Sequence, residues 1–169
     1  MKLKQKVTKS WQYRIQHYNP KKYWKYREYV VNKDKSNIIL KYYYLYKIKK
    51  MDAFNNASMG TNINEGAKFK TPPKLPHGLN GIIISYYAEI GANCVIRQQV
   101  TIAQKNKNEA AIIGDNVIIG AGAKIIGGVT IGNNVVIGAN AVVTKSFPDN
   151  CVIAGVPAKI IKEVENEKN

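Results

Sequence analysis

Residues 113–143 read IGDNVIIGAGAKIIGGVTIGNNVVIGANAVV. An aliphatic residue opens each six-residue unit, at Ile113, Ile119, Ile125, Ile131, Ile137 and Val143, and a small residue often follows it. The spacing continues upstream through Ile84, Ile90, Ile96 and Ile102, and further back through Ile63, Phe69 and Leu75. Neither an α-helix nor an ordinary strand generates a period of six. A parallel β-helix does: each unit supplies one short strand and one corner, and three units close a triangular coil. The aliphatic side chain points inward and stacks on its equivalents roughly 4.8 Å above and below. Gly, Asn and Asp recur at the corners because such turns need permissive backbone angles.

Outward from the repeat, composition changes sharply. Residues 1–50 hold fifteen Lys/Arg against Glu28 and Asp34, and nine of the eleven tyrosines lie at or before Tyr46. All thirteen glycines lie at or after Gly60. The break divides the chain into a basic, Tyr-rich helical segment, 1–55, and a β-helix domain, 56–169. In the first, Asn19-Pro20 reads as a cap and first turn for a helix over 21–31, with Tyr23, Tyr26 and Val30 on one side. Ser36 is the expected cap of a second helix over 37–51, with Ile38, Tyr42, Leu45 and Ile48 on one side. The basic segment suits either a solvated cap or contact with an anionic membrane surface, and no nucleic-acid motif accompanies it. At the other end Pro157 is expected to start a closing helix through about Glu165.

A net charge of +15 on 169 residues with 45% hydrophobic content fits a folded chain. No apolar stretch approaches the roughly 18 residues of a membrane span, and no apolar core follows basic Met1 to Lys9 as in a signal peptide. Two cysteines, Cys94 and Cys151, make neither a disulfide scaffold nor a metal cluster, so a cytoplasmic setting is expected.

Breaks in a solenoid leave the coil as loops, where function concentrates. Five extra residues fall within Ala103 to Glu109, and three between Leu75 and Ile84. The second break contains His77, flanked by Pro76 and Gly78. A histidine there is either an ordinary turn residue or a base, since an imidazole with a pKa near ~6.5 deprotonates alcohols at neutral pH.

The stretches 76–82 (PHGLNGI), 98–102 (QQVTI), 119–127 (IGAGAKIIG) and 155–161 (GVPAKII) resemble the serine acetyltransferase branch of the hexapeptide-repeat acyltransferases, which includes acetyltransferases of capsular and other surface polysaccharides. The resemblance runs from about Asn55 to Glu163. It implies a left-handed coil, a homotrimer, acetyl-CoA as acyl donor, no metal, and His77 as general base in direct transfer to a hydroxyl. It further implies that Ala121, Ala139, Thr144, Lys145, Lys159 and Lys162 line the acetyl-CoA path between subunits, with Lys159 and Lys162 near the phosphates. Two departures bear on the acceptor. Asn62 stands where the family carries an aspartate that orients the histidine. The stretch Asn108 to Ile113 holds no histidine where the family uses a second one. Without those polar partners, a sugar hydroxyl of a surface polysaccharide is the expected acceptor, in an enzyme that is cytoplasmic or peripheral at the inner membrane face. Serine acetylation and a non-catalytic scaffold are the alternatives. A metal site as in the β-helical carbonic anhydrases needs several coil histidines, and His77 alone lies in that region.

Overall fold

The computed structural model describes residues 8, 11–106 and 109–163. It forms a parallel β-helix of about four turns, left-handed as expected, under the helices Pro20–Val31 and Ile38–Phe54, with residues 11–15 also helical. Face I stacks β1 (Ser58–Met59), β5 (Ile83–Ile84), β8 (Thr101–Ala103), β11 (Lys124–Ile126) and β14 (Val142–Val143). Face II stacks β4 (Lys68–Phe69), β6 (Glu89–Ile90), β9 (Ile112–Ile113) and β12 (Thr130–Ile131). Face III stacks β7 (Val95–Ile96), β10 (Ile118–Ile119), β13 (Val136–Ile137) and β15 (Cys151–Gly155), with β16 (Ala158–Glu163) antiparallel at its end. The nine isoleucines and one valine of the two unbroken runs are each at most 3% exposed. They form three interior columns, each side chain worth roughly 1.5–3 kcal/mol of burial.

Three edges join the faces. Between faces II and III, Asn93, Asn116, Asn134 and Asn150 take left-handed backbone angles, φ +56° to +58°. Their side chains form a ladder, each Nδ2 donating to the next Oδ1 at 2.8–3.2 Å. Between faces I and II lie the hairpin of β2 (Thr61–Asn62) and β3 (Glu65–Gly66), the loop after β8, and Thr144-Lys145. Lys107 and Asn108 of that loop lie outside the described residues. Between faces III and I lies the turn that carries His77.

Four expectations are corrected, the last at the cap of the second helix. Residues 158–163 are strand β16, not helix. The edge of β15 would otherwise leave backbone donors and acceptors unpaired, and a returning strand rich in Ile160 and Ile161 satisfies them; residues 164 and 165 lie outside the described residues. Ile63 is not a coil position, because 61–66 leave the coil as a hairpin, and Met59 fills the interior column instead. In the second helix the buried side is Lys41, Ile48 and Asp52, while Ile38 and Tyr42 are exposed.

The longer helices are α1 (Pro20–Val31) and α2 (Ile38–Phe54). Asn19 caps α1 through Lys22 N–H as expected, but Asn37 rather than Ser36 caps α2, through Leu40 N–H. An aspartate reaching down from α2 closes the interface: Tyr23 Oη donates to Asp52 Oδ1 at 2.8 Å, and burial pushes the Asp52 carboxyl up to about 6. Arg27 is 5% exposed. Its guanidinium donates to Thr61 Oγ1 at 3.1 Å and to the carbonyls of Gly60 (3.3 Å) and Ala67 (2.5 Å), below the ring of Phe69. It fastens α1 to the first turn of the coil.

Candidate active site

His77 is exposed at the head of the edge between faces III and I, in the turn 76–81. Leu79, fully buried, plugs that turn into the coil interior. Gly81 closes it at φ +64°, its missing Cβ leaving room for Gln99 Cγ, which would stand only 3.1 Å from one. Below it the corners repeat in register. Gln99 N–H donates to Asn80 O (2.9 Å), Gly122 N–H to Gln98 O (2.9 Å) and Asn140 N–H to Ala121 O (2.8 Å). His77, Ala121 and Ala139 therefore lie along one edge, about 4.8 Å of rise per turn of the coil. Lys159 joins them at the foot. It pairs with Ala154, and Ala154 packs beneath Gly138, where an added Cβ would come within 2.9 Å of the Ala154 methyl. The edge thus presents a histidine at one end, small corner residues along its length and an exposed ammonium at the other.

The remaining expected site residues lie elsewhere in the chain. Asn62 is on the hairpin at the edge between faces I and II, across face I from His77. Its side chain serves its own hairpin: Oδ1 accepts from Ile63 N–H at 2.9 Å, and Nδ2 donates to Glu65 Oε1 at 3.4 Å. Among the described residues no hydrogen bond joins Asn62 to His77. Thr144 and Lys145 share that second edge, with Lys145 Nζ over the Phe147 ring at 5.6 Å. Lys162 pairs with Val152, at the far end of β16 from Lys159. Apart from Lys162, one chain therefore carries the expected residues as two half-sets on two edges, separated by face I. The outward residues of that face mix apolar Ile83, Ile126 and Val142 with Ser58, Thr101 and Lys124.

Two concavities of about 640 Å³ flank α1, one against Glu65, Tyr86 and Tyr87 and the other against Trp24 and Pro72. Neither contains His77, whose edge is open in the single chain.

Lys124 was not singled out by its sequence motif. Its Nζ donates to Gln99 O at 2.7 Å, placing a cation on the His77 edge one turn above Ala139. The signal is local: lysine ends the unit 119–124, where the following units end in Thr130, Val136 and Val142.

The bacterial transferase hexapeptide family (six repeats) matches residues 110–145. A serine acetyltransferase of Staphylococcus xylosus is 40% identical over 107 residues, 62% of this chain and 49% of that protein. One of Synechococcus elongatus is 36% identical over 105 residues, 60% of this chain and 43% of that protein. Among solved structures, a Brucella abortus serine acetyltransferase in complex with coenzyme A superposes with a TM-score of 0.66 at 28% identity, covering 85% of this chain and 53% of that one. A Neisseria gonorrhoeae serine acetyltransferase in complex with serine gives 0.58 at 32% identity, covering 72% and 47%. The chain spans about half the length of these relatives. They carry the serine acetyltransferase name, so they lend no support to the expected role in polysaccharide synthesis. The period and the three-faced coil agree with these matches: residues 110–145 are similar to the bacterial hexapeptide transferases, and the fold around them is that of the superposed structures.

Proposed function

We propose that the protein is an acetyl-CoA-dependent O-acetyltransferase with L-serine as its acceptor. The observation that carries the reading is the single edge on which His77, Ala121, Ala139 and Lys159 line up. His77 takes the proton from the acceptor hydroxyl as that oxygen attacks the thioester carbonyl. The C–S bond then breaks, and the departing CoA sulfur receives the proton back from the imidazolium. Lys159 offers an ammonium to the phosphates, and the alanine corners leave room for the pantetheine arm. The two half-sets of residues on either side of one face support a homotrimer, in which the His77 edge of one protomer meets the Asn62 edge of its neighbour.

A second reading, transfer to a sugar hydroxyl, is favoured by the engagement of Asn62 with its own hairpin and the absence of histidine from residues 108–113. An amide does not stabilise imidazolium by charge, and a neutral acceptor needs no partner for an amino-acid zwitterion. Release of CoA from acetyl-CoA, followed with L-serine and with a panel of sugars and capsule repeat units, separates the two. Release with serine supports the first reading, release with glycans alone transfers the function to the second, and silence with every acceptor overturns both. Contact of the N-terminal region with an anionic bilayer remains part of the proposal, supported by the exposed Ile39, Tyr42, Tyr43 and Tyr46 of α2 beside Lys47. Sedimentation with anionic vesicles that is unchanged on deleting residues 1–50 would remove that part.

A further inference from the structure

Each lower corner of the His77 edge is held from above by the preceding coil. Gln99 N–H takes Asn80 O, Gly122 N–H takes Gln98 O, and Asn140 N–H takes Ala121 O. Gly81 occupies the same corner one turn higher, and no coil stands above it. Its N–H instead donates to Asn55 O at 2.8 Å, just past the end of α2. Asn55 is fixed in turn by its side chain, whose Nδ2 donates to Met51 O at 2.8 Å and to Gln16 O at 3.1 Å. The segment that supplies Gln16 also supplies Tyr18, which is 3% exposed. The Tyr18 ring covers the other end of the turn: a Cβ added to Gly78, the residue after His77, would lie 3.5 Å from Tyr18 Cδ1. The Tyr23 ring packs edge-on against Tyr18 at 5.5 Å.

We propose that Asn55 and Tyr18 are positioning residues for His77, and that the helical region stands in for the missing coil above the His77 turn. The proposal rests on His77 being the general base. Without the two contacts the turn keeps its plug, Leu79, but loses the restraint at both ends. The imidazole then samples positions away from the acceptor oxygen, and a displacement of about 1 Å is enough to cost up to ~100-fold in rate.

The test uses the whole 169-residue chain and CoA release with whichever acceptor gives turnover. Tyr18→Leu keeps most of the buried volume, and Asn55→Ala keeps the carbonyl that meets Gly81, so the two perturb the turn independently. Each is expected to lower kcat about tenfold, leaving KM for acetyl-CoA unchanged because the corners from Ala121 to Lys159 are untouched. Tyr18→Phe, which retains the ring, is expected to restore the rate. In a His77→Ala background both substitutions are expected to cost less than about twofold, since no imidazole is left to place. Unchanged turnover in His77→Ala alone would overturn the base, and with it the reading on which the proposal rests. A slow His77→Ala combined with equal losses in both backgrounds, a raised KM in place of a lowered kcat, or no loss at all would overturn the positioning role while leaving the base intact.

Discussion

Replacing His77 by alanine is expected to lower turnover with acetyl-CoA by roughly two to four orders of magnitude, the contribution of a positioned general base. Two features put the effect in kcat rather than in KM for acetyl-CoA. His77 sits at the head of the edge, beyond the corners and the Lys159 ammonium that are proposed to hold the donor. It is also exposed, so its loss opens no cavity and removes no core contact. The thermal midpoint of the variant should therefore match that of the parent. A His77→Ala protein with full turnover and an unchanged fold would leave the coil as a scaffold. Raising the pH should recover part of the lost rate, as solvent base replaces the imidazole.

Arg27→Met is expected to lower stability by roughly 3–4 kcal/mol, the largest thermodynamic effect of a single change at the junction of helices and coil. The guanidinium is buried and bridges Thr61 Oγ1 and the carbonyls of Gly60 and Ala67, with the Phe69 ring 4.6 Å from its centre. Methionine fills much of the stem's volume but removes the donor from Thr61 Oγ1 and Ala67 O, while Gly60 O keeps the Ala67 N–H at 2.8 Å, and an unpaired buried polar group carries its full desolvation cost. Burial pulls the Arg27 pKa down to about 10, so the group stays charged at neutral pH and its bonds are charge-assisted. For a chain of this size the loss corresponds to about 10 °C in Tm. Lysine should recover only part of it, since one ammonium does not span acceptors that a planar fork reaches together. A midpoint within about 2 °C of the parent would show that the hairpin and α1 hold together without the bridge.

The interior was legible because it obeys one rule. A period of six, read from Ile84 to Val143, places the stacked aliphatics, and burial at those positions follows from the period alone; a second inward set two residues earlier, including Cys94, Val100, Val117 and Val135, was not read from it. Asn19 and the helix it caps were legible for a similarly local reason, since a side-chain oxygen meets a backbone N–H three residues on. Legibility ends where distant segments meet. Ile63 keeps the period, yet the hairpin lifts it out of the coil, because the Arg27 guanidinium draws the Gly60 and Ala67 carbonyls together from a separate helix. Pro157 reads as a helix start, but the open edge of β15 makes a strand more favourable there, a need that exists only once the coil is built. In α2 the pattern Ile38, Tyr42, Leu45, Ile48 follows hydrophobicity. The buried side follows the polar partners of Lys41, which are Asn32 O and the Asn64 side chain, and of Asp52.

The candidate site divides in the same way. His77 stood out as a histidine at a glycine-flanked break, and Ala121 and Ala139 are related by the 18-residue turn of the coil. The placement of Asn62 on a different edge from His77 was invisible, because fifteen residues of separation translate into position only after the faces are assigned. Tyr18 and Asn55 carried no motif. Their part comes from a place where the coil has no neighbour above it.

The most direct measurement is the structure of the whole 169-residue chain with CoA bound. The account predicts the ligand along the His77 edge, its sulfur end at His77, its pantetheine arm over Ala121 and Ala139, and its phosphates at Lys159. CoA lying on the asparagine edge, or in either concavity beside α1, would contradict it.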